Sequence, residues 1–75
     1  MIRNLLKKYL FDANMSQQKL GDLIDTDRVV VNGVCNGNRI FDYHILLKVC
    51  NVLGCTPEDI YDDDVLDVIY SEVKR

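Results

Sequence analysis

The stretch 15–37 contains two residues that favour the start of a helix, and this stretch largely determines the fold of the chain. Ser16 and Asp27 have side chains that accept a hydrogen bond from the first turn of a helix, and each precedes a run of apolar residues at helical spacing. We therefore predict one helix over residues 17–24 and a second over 28–36. The glycine that follows the second helix suits the left-handed conformation of a helix end.

The apolar residues of the two predicted helices each form one stripe. They are Leu20, Leu23 and Ile24 in the first helix, and Val31, Val34 and Cys35 in the second. Gly21 has no side chain, so the helices can cross closely there, and the turn between them is predicted at Asp25–Thr26. The outer side of the second helix is small and hydrogen-bonding. This arrangement is typical of a helix-turn-helix whose second helix enters the major groove of DNA.

The same stretch resembles the helix-turn-helix of the phage Cro and lambda-type repressor family. The matching residues are Ser16–Gln17, Leu20–Gly21, Val31, Val34 and Asn36–Gly37. Asp25 stands where the family usually has a turn glycine, and aspartate tolerates left-handed φ better than most residues. The resemblance extends to about Tyr61. It implies an all-α, lambda-repressor-like bundle of five or six short helices, with the helix-turn-helix at helices 2 and 3.

Helical spacing and caps organise the rest of the chain. We predict helices over residues 2–13 and 43–53, the latter capped by Asp42, and a short helix that Thr56 caps. The first helix buries a stripe made of Ile2, Leu5, Leu6, Tyr9 and Leu10, and Ile60 with Tyr61 closes the core. The basic residues Arg3, Lys7 and Lys8 lie off that stripe, on an ordinary solvated face or against phosphate.

The acidic segment 62–75 lies beyond the resembling unit, so the predicted organisation is a DNA-binding domain over 1–61 with a C-terminal extension. A stripe of Leu66, Ile69 and Val73 favours a helix in this extension, although an alternating strand also fits the pattern. The extension either packs on the domain or forms a dimer contact.

The resemblance places ten residues as candidate DNA contacts. They are Gln17, Gln18, Asp27, Arg28, Val29, Asn32, Gly33, Asn36, Asn38 and Arg39. Gln17 suits a phosphate contact at a helix start. Arg28 can reach guanine or a phosphate, Asn32 can pair with adenine, and Val29 can pack on a thymine methyl group.

Four further candidates have more general expectations. Gly33 either lets the backbone approach DNA or simply weakens its helix. The loop residues Asn38 and Arg39, together with Asn36, are expected along the sugar-phosphate backbone.

The charge of the chain is unusual for a DNA-binding protein. The net charge is −3 and the pI is about 4.8, whereas a basic patch is the usual footprint. Residues 1–48 carry +2 and residues 49–75 carry −5, so the acid lies mainly outside the predicted binding unit. We expect weak non-specific binding. The acidic balance also leaves open a second function, a helix-turn-helix used for protein binding, as in an antitoxin or a regulatory subunit.

Other function classes find little support in the sequence. The three cysteines, Cys35, Cys50 and Cys55, fit reduced core positions, and the alternative of a metal site shared with His44 lacks a close cysteine pair. No nucleophile with a base partner or phosphate-binding loop is recognisable, so neither an enzyme nor a cofactor is predicted. The helix-turn-helix predicts a sequence-specific transcription regulator, most simply a repressor that binds double-stranded DNA at a palindromic operator as a homodimer. Without a long apolar run or a signal peptide, we expect it in the cytoplasm.

Overall fold

The computed structural model describes residues 2–72, and over that range the chain forms six α-helices and no strand. The helices are α1 (Leu6–Asp12), α2 (Gln17–Leu23), α3 (Arg28–Cys35), α4 (Tyr43–Leu53), α5 (Pro57–Ile60) and α6 (Asp63–Ser71). Helix α2 packs against α3, α1 supports α3, and α4 contacts both α2 and α5. The predicted all-α bundle is therefore confirmed.

Side-chain caps begin the central helices where the sequence predicts them. Ser16, Asp27 and Asp42 each accept a hydrogen bond from a backbone N–H two or three residues later, at 2.9 to 3.0 Å. These bonds satisfy N–H groups that have no partner within the helix. Gly54, with a φ of 67°, ends α4 in the left-handed conformation. Local chemistry thus sets the starts of α2, α3 and α4.

The turn between α2 and α3 depends on a close backbone approach at Gly21. Asp25 has a φ of 56°, so aspartate does adopt the left-handed conformation at this turn. A Cβ atom added to Gly21 would lie 2.6 Å from the carbonyl oxygen of Thr26 and 3.5 Å from the backbone nitrogen of Arg28. Only glycine leaves room for the turn and the start of α3 at this crossing.

Replacing Gly21 by alanine should therefore destabilise the domain by about 1–3 kcal/mol, because the backbone must shift to relieve the overlap. Thermal unfolding should show a fall of at least about 4 °C in Tm. Gly33→Ala is the matched control, since the added Cβ there meets only the flexible side chain of Arg39. If Gly21→Ala kept the wild-type Tm, the close crossing would not limit this position.

Three details of the predicted helices are wrong. Helix α1 begins at Leu6 rather than at residue 2. Leu5 is 52% exposed and Leu23 is 49% exposed, so neither belongs to the buried stripe of its helix. Helical spacing alone does not show where the neighbouring helices stop covering a stripe.

A long-range hydrogen bond explains the late start of α1. The side-chain nitrogen of Asn4 donates to the carbonyl oxygen of Val34 at 2.8 Å, and its side-chain oxygen accepts from the N–H of Leu6 at 3.0 Å. The N–H of Ile2 also donates to the carbonyl oxygen of Gly37 at 2.9 Å. Residues 2–4 therefore run against the end of α3 instead of forming a helical turn.

A single core includes residues from all six helices. Its members are Leu6, Leu10, Leu20, Ile24, Val31, Val34, Cys35, Phe41, Leu46, Val49, Cys50, Ile60, Tyr61, Leu66 and Ile69. Residues 63–71 form a helix, and Leu66 and Ile69 are 3% and 1% exposed, so α6 packs on the domain. Val73, the third member of the predicted stripe, lies outside the described residues. The division of the chain at residue 61 stays a prediction.

Candidate nucleic-acid interface

The outward side of α3 is an exposed surface that carries both polar and apolar side chains. Val31 and Val34 point into the core, while Asn32 and Asn36 are exposed and Val29 is 63% exposed on the other side of the helix. The buried side fixes α3 against α2, and the bonds from the N-terminal segment fix its far end. The outward side is therefore presented on a supported helix.

A chain of hydrogen-bonded amides links the start of α2 to this side of α3. The side-chain nitrogen of Asn32 donates to the side-chain oxygen of Gln17 at 3.0 Å. The side-chain nitrogen of Asn36 donates to the side-chain oxygen of Asn32 at 3.1 Å. All three belong to the ten candidates, and the structure brings them together across the two helices.

The amide chain leaves bonding capacity on each of its members. A carboxamide has two N–H donors and an oxygen that accepts two bonds. Asn32 therefore keeps one donor and one acceptor site, which is what a bidentate pair with adenine requires. Gln17 uses its oxygen for Asn32, so both N–H groups at the start of α2 stay available for an anionic partner.

The side chain of Arg39 lies across Gly33 on α3. A Cβ atom added to Gly33 would lie 2.9 Å from Cδ, 3.1 Å from Cγ and 3.4 Å from Nε of Arg39. This contact explains why Gly33 is only partly exposed although it faces outward. The sequence predicts that Arg39 lies along the sugar-phosphate backbone of DNA, but it does not predict this contact between Arg39 and α3.

The remaining candidates are not tied to the amide chain. Gln18 donates to the carboxylate of Asp22 within α2 at 3.0 Å. Asp27 uses its carboxylate to cap α3. Arg28 and Asn38 are exposed at the two ends of α3, and the N–H of Asn38 donates to the carbonyl oxygen of Gly33 at 2.9 Å.

One supporting residue was not singled out from the sequence. Asn4 holds the C-terminal end of α3 through Val34, thirty positions along the chain. No local pattern marks such a partner, since an asparagine near a chain start is common on any surface. Its role appears only when the two segments are placed side by side.

The cysteines show no sign of a charged or metal-binding cluster. Burial raises the pKa of all three thiols, and for Cys50, next to Cys55, the pKa rises to about 12. A raised pKa keeps these thiols protonated at neutral pH, as is usual for core cysteines. In the part of the chain that the structure describes, no three His, Cys, Asp or Glu side chains are grouped to hold a metal ion.

Two helices joined by a left-handed turn, with the second exposed outward, define a helix-turn-helix domain. The chain belongs to the family of Cro/C1-type HTH DNA-binding domains, whose model matches residues 5–65. The predicted resemblance to phage Cro and lambda-type repressors is thereby confirmed. No helix within residues 2–72 has the length and hydropathy to cross a bilayer.

The chain is also similar to a solved structure of a controller protein. It is the crystal structure of the restriction-modification controller protein C.AhdI from Aeromonas hydrophila, which matches with a TM-score of 0.67 and 30% sequence identity. The match covers 72% of this chain and 82% of that chain. No curated protein sequence matches the chain.

Proposed function

We propose that this protein is a sequence-specific transcription regulator, a repressor that binds a palindromic operator as a homodimer in the cytoplasm. The observation that carries the proposal is the outward side of α3, where the Gln17–Asn32–Asn36 amides are joined and retain free donors and acceptors. Side chains that are held in place lose little entropy on binding. Family membership and a solved neighbour that is a controller protein support a regulatory role.

The distribution of charge is compatible with this role. Residues 17–39 carry Lys19, Arg28 and Arg39 together with an equal number of aspartates, so this unit is neutral, whereas residues 49–75 carry −5. Interactions between exposed charges are screened beyond about 8–10 Å. Lys19, Arg28 and Arg39 can therefore contact phosphate from a neutral unit although the whole chain is acidic.

Two copies are expected to act together on DNA. In helix-turn-helix dimers the second helices enter successive major grooves, about 34 Å apart, and the operator repeats the two-fold symmetry of the protein. Occupying a promoter in this way blocks transcription.

Selection of binding sites from random duplexes tests the proposal. Wild-type protein should enrich a palindromic motif, bind it with two chains per duplex, and lose affinity steeply as salt increases. Placed over a reporter promoter, the selected motif should lower transcription when the protein is present.

Each part of the proposal has its own contradicting outcome. A single-copy complex would argue against the dimer, and increased transcription would argue against repression. Failure to enrich any motif at low salt would contradict DNA recognition and favour a helix-turn-helix used for protein binding.

A further inference from the structure

The centre of the outward side of α3 has no side chain of its own. Gly33 lies there between Val29 and Asn36, opposite the buried Val31 and Val34. In a helix that lies in the major groove, the outward side faces the base edges and the N-terminal residues contact them; Gly33 lies further along the same side. In this chain the position is filled from outside the helix, by the side chain of Arg39.

We propose that Gly33 and Arg39 form one base-reading unit, in which Gly33 is the socket that holds the Arg39 side chain over α3 and Arg39 recognises a guanine. The inference rests on the proposed DNA-binding function. It assigns Arg39 to the major-groove edge of a base instead of a phosphate, and it assigns Gly33 a positioning role.

The contact distances support the socket. Two carbons of the Arg39 stem and the Nε atom of its guanidinium all lie within 3.4 Å of where a Cβ of residue 33 would be. The aliphatic part of the Arg39 side chain therefore lies against α3, and Nε, the first atom of its guanidinium group, is above the outward side of the helix. A planar guanidinium offers a fork of donors that fits O6 and N7 of guanine.

The backbone keeps the two residues in register. The N–H of Asn38, next to Arg39, donates to the carbonyl oxygen of Gly33 at 2.9 Å. Gly37 has a φ of 81°, which turns the chain back after α3. The loop that carries Arg39 is thus bonded to the residue on which its side chain lies.

Alanine at position 33 should displace Arg39 without harming the fold. The added Cβ overlaps only with a flexible side chain, and alanine favours an exposed helix more than glycine does. The Tm of Gly33→Ala should therefore equal or exceed that of the wild type. In NMR spectra of the free wild-type protein, cross-peaks should join Gly33 Hα to the Arg39 side chain. In Gly33→Ala, the corresponding cross-peaks from residue 33 should be absent.

Site selection from random duplexes tests the base-reading role. The wild-type motif should contain a G·C pair for which the preference, roughly ten- to hundred-fold, is lost in Arg39→Ala. Gly33→Ala should weaken the preference at the same pair and have no further effect in an Arg39→Ala background. Arg39→Lys should retain part of the affinity but lose the preference, because lysine lacks the fork.

Lys48→Ala is the matched control for charge. Lys48 is exposed on α4, and its removal should lower the affinity for all sequences alike. If Arg39→Ala behaves in this way too, Arg39 contacts phosphate and the proposal is overturned while DNA recognition stands. If Gly33→Ala retains the wild-type preference, the socket is overturned. A wild-type protein that selects no motif contradicts both this inference and the proposed function.

Discussion

The Ile69→Asp variant should be largely unfolded at 25 °C. Ile69 is 1% exposed in α6, so the substitution removes a core side chain and places a carboxylate among apolar residues. Truncation of such a residue costs about 2–5 kcal/mol, and an unpaired buried charge adds several more. The sum is comparable with the whole stability of a small domain, which is about 5–15 kcal/mol. Far-UV circular dichroism and urea unfolding would measure the loss.

Val68→Asp is the matched control for this experiment. It makes a similar β-branched-to-acid change one position earlier in the same helix, but Val68 is 54% exposed. Its stability should stay within about 0.5 kcal/mol of the wild type, as for most surface substitutions. If Ile69→Asp were as stable as Val68→Asp, α6 would be an appendage that the fold does not need.

The burial of α6 also limits how the C-terminal segment can take part in a dimer contact. The sequence left packing and dimer contact as alternatives for residues 62–75. The buried Leu66 and Ile69 show that one side of α6 belongs to the core, so that side is not available to a second copy. Only the outer side of this helix, where Val68 lies, is available for a dimer contact.

Local chemistry explains why α2 to α5 could be predicted closely. Ser16, Asp27 and Asp42 each accept a hydrogen bond from an N–H two or three residues later. Gly54 ends α4 because glycine readily adopts the left-handed conformation. Such signals are visible in the sequence because the chain around them fixes their partners. Tertiary contacts then agree with them, which is the usual mark of a sequence that folds to one structure.

Most of the missed features depend on partners distant in sequence. The start of α1 depends on Asn4 reaching Val34. The candidate site shows the same limit. Residue types marked Gln17, Asn32 and Asn36 as polar and outward, but only the structure joins them. The contact of Arg39 with Gly33 also needs the loop conformation, which no spacing rule provides.

Replacing Arg28 and Asn32 together by alanine should remove most of the sequence preference in DNA binding. Each bidentate base pairing contributes about 1–3 kcal/mol of discrimination, and the two residues lie one helical turn apart on α3. Asn32 also holds Gln17 and Asn36 through its amide, so its loss frees both neighbours. We expect the affinity for the selected duplex to fall by about a hundred-fold or more, towards the affinity for random DNA.

Salt titration distinguishes loss of base contacts from loss of charge. The double variant removes one positive charge, so its salt slope should fall by only about one unit while its preference collapses. Lys48→Ala, which removes the same charge from α4, should keep the preference. Both variants should unfold near the wild-type Tm, because Arg28, Asn32 and Lys48 are all exposed. A double variant that kept the wild-type preference at every base pair would show that α3 does not read bases through these residues, whereas a preference left only at the G·C pair assigned to Arg39 would not.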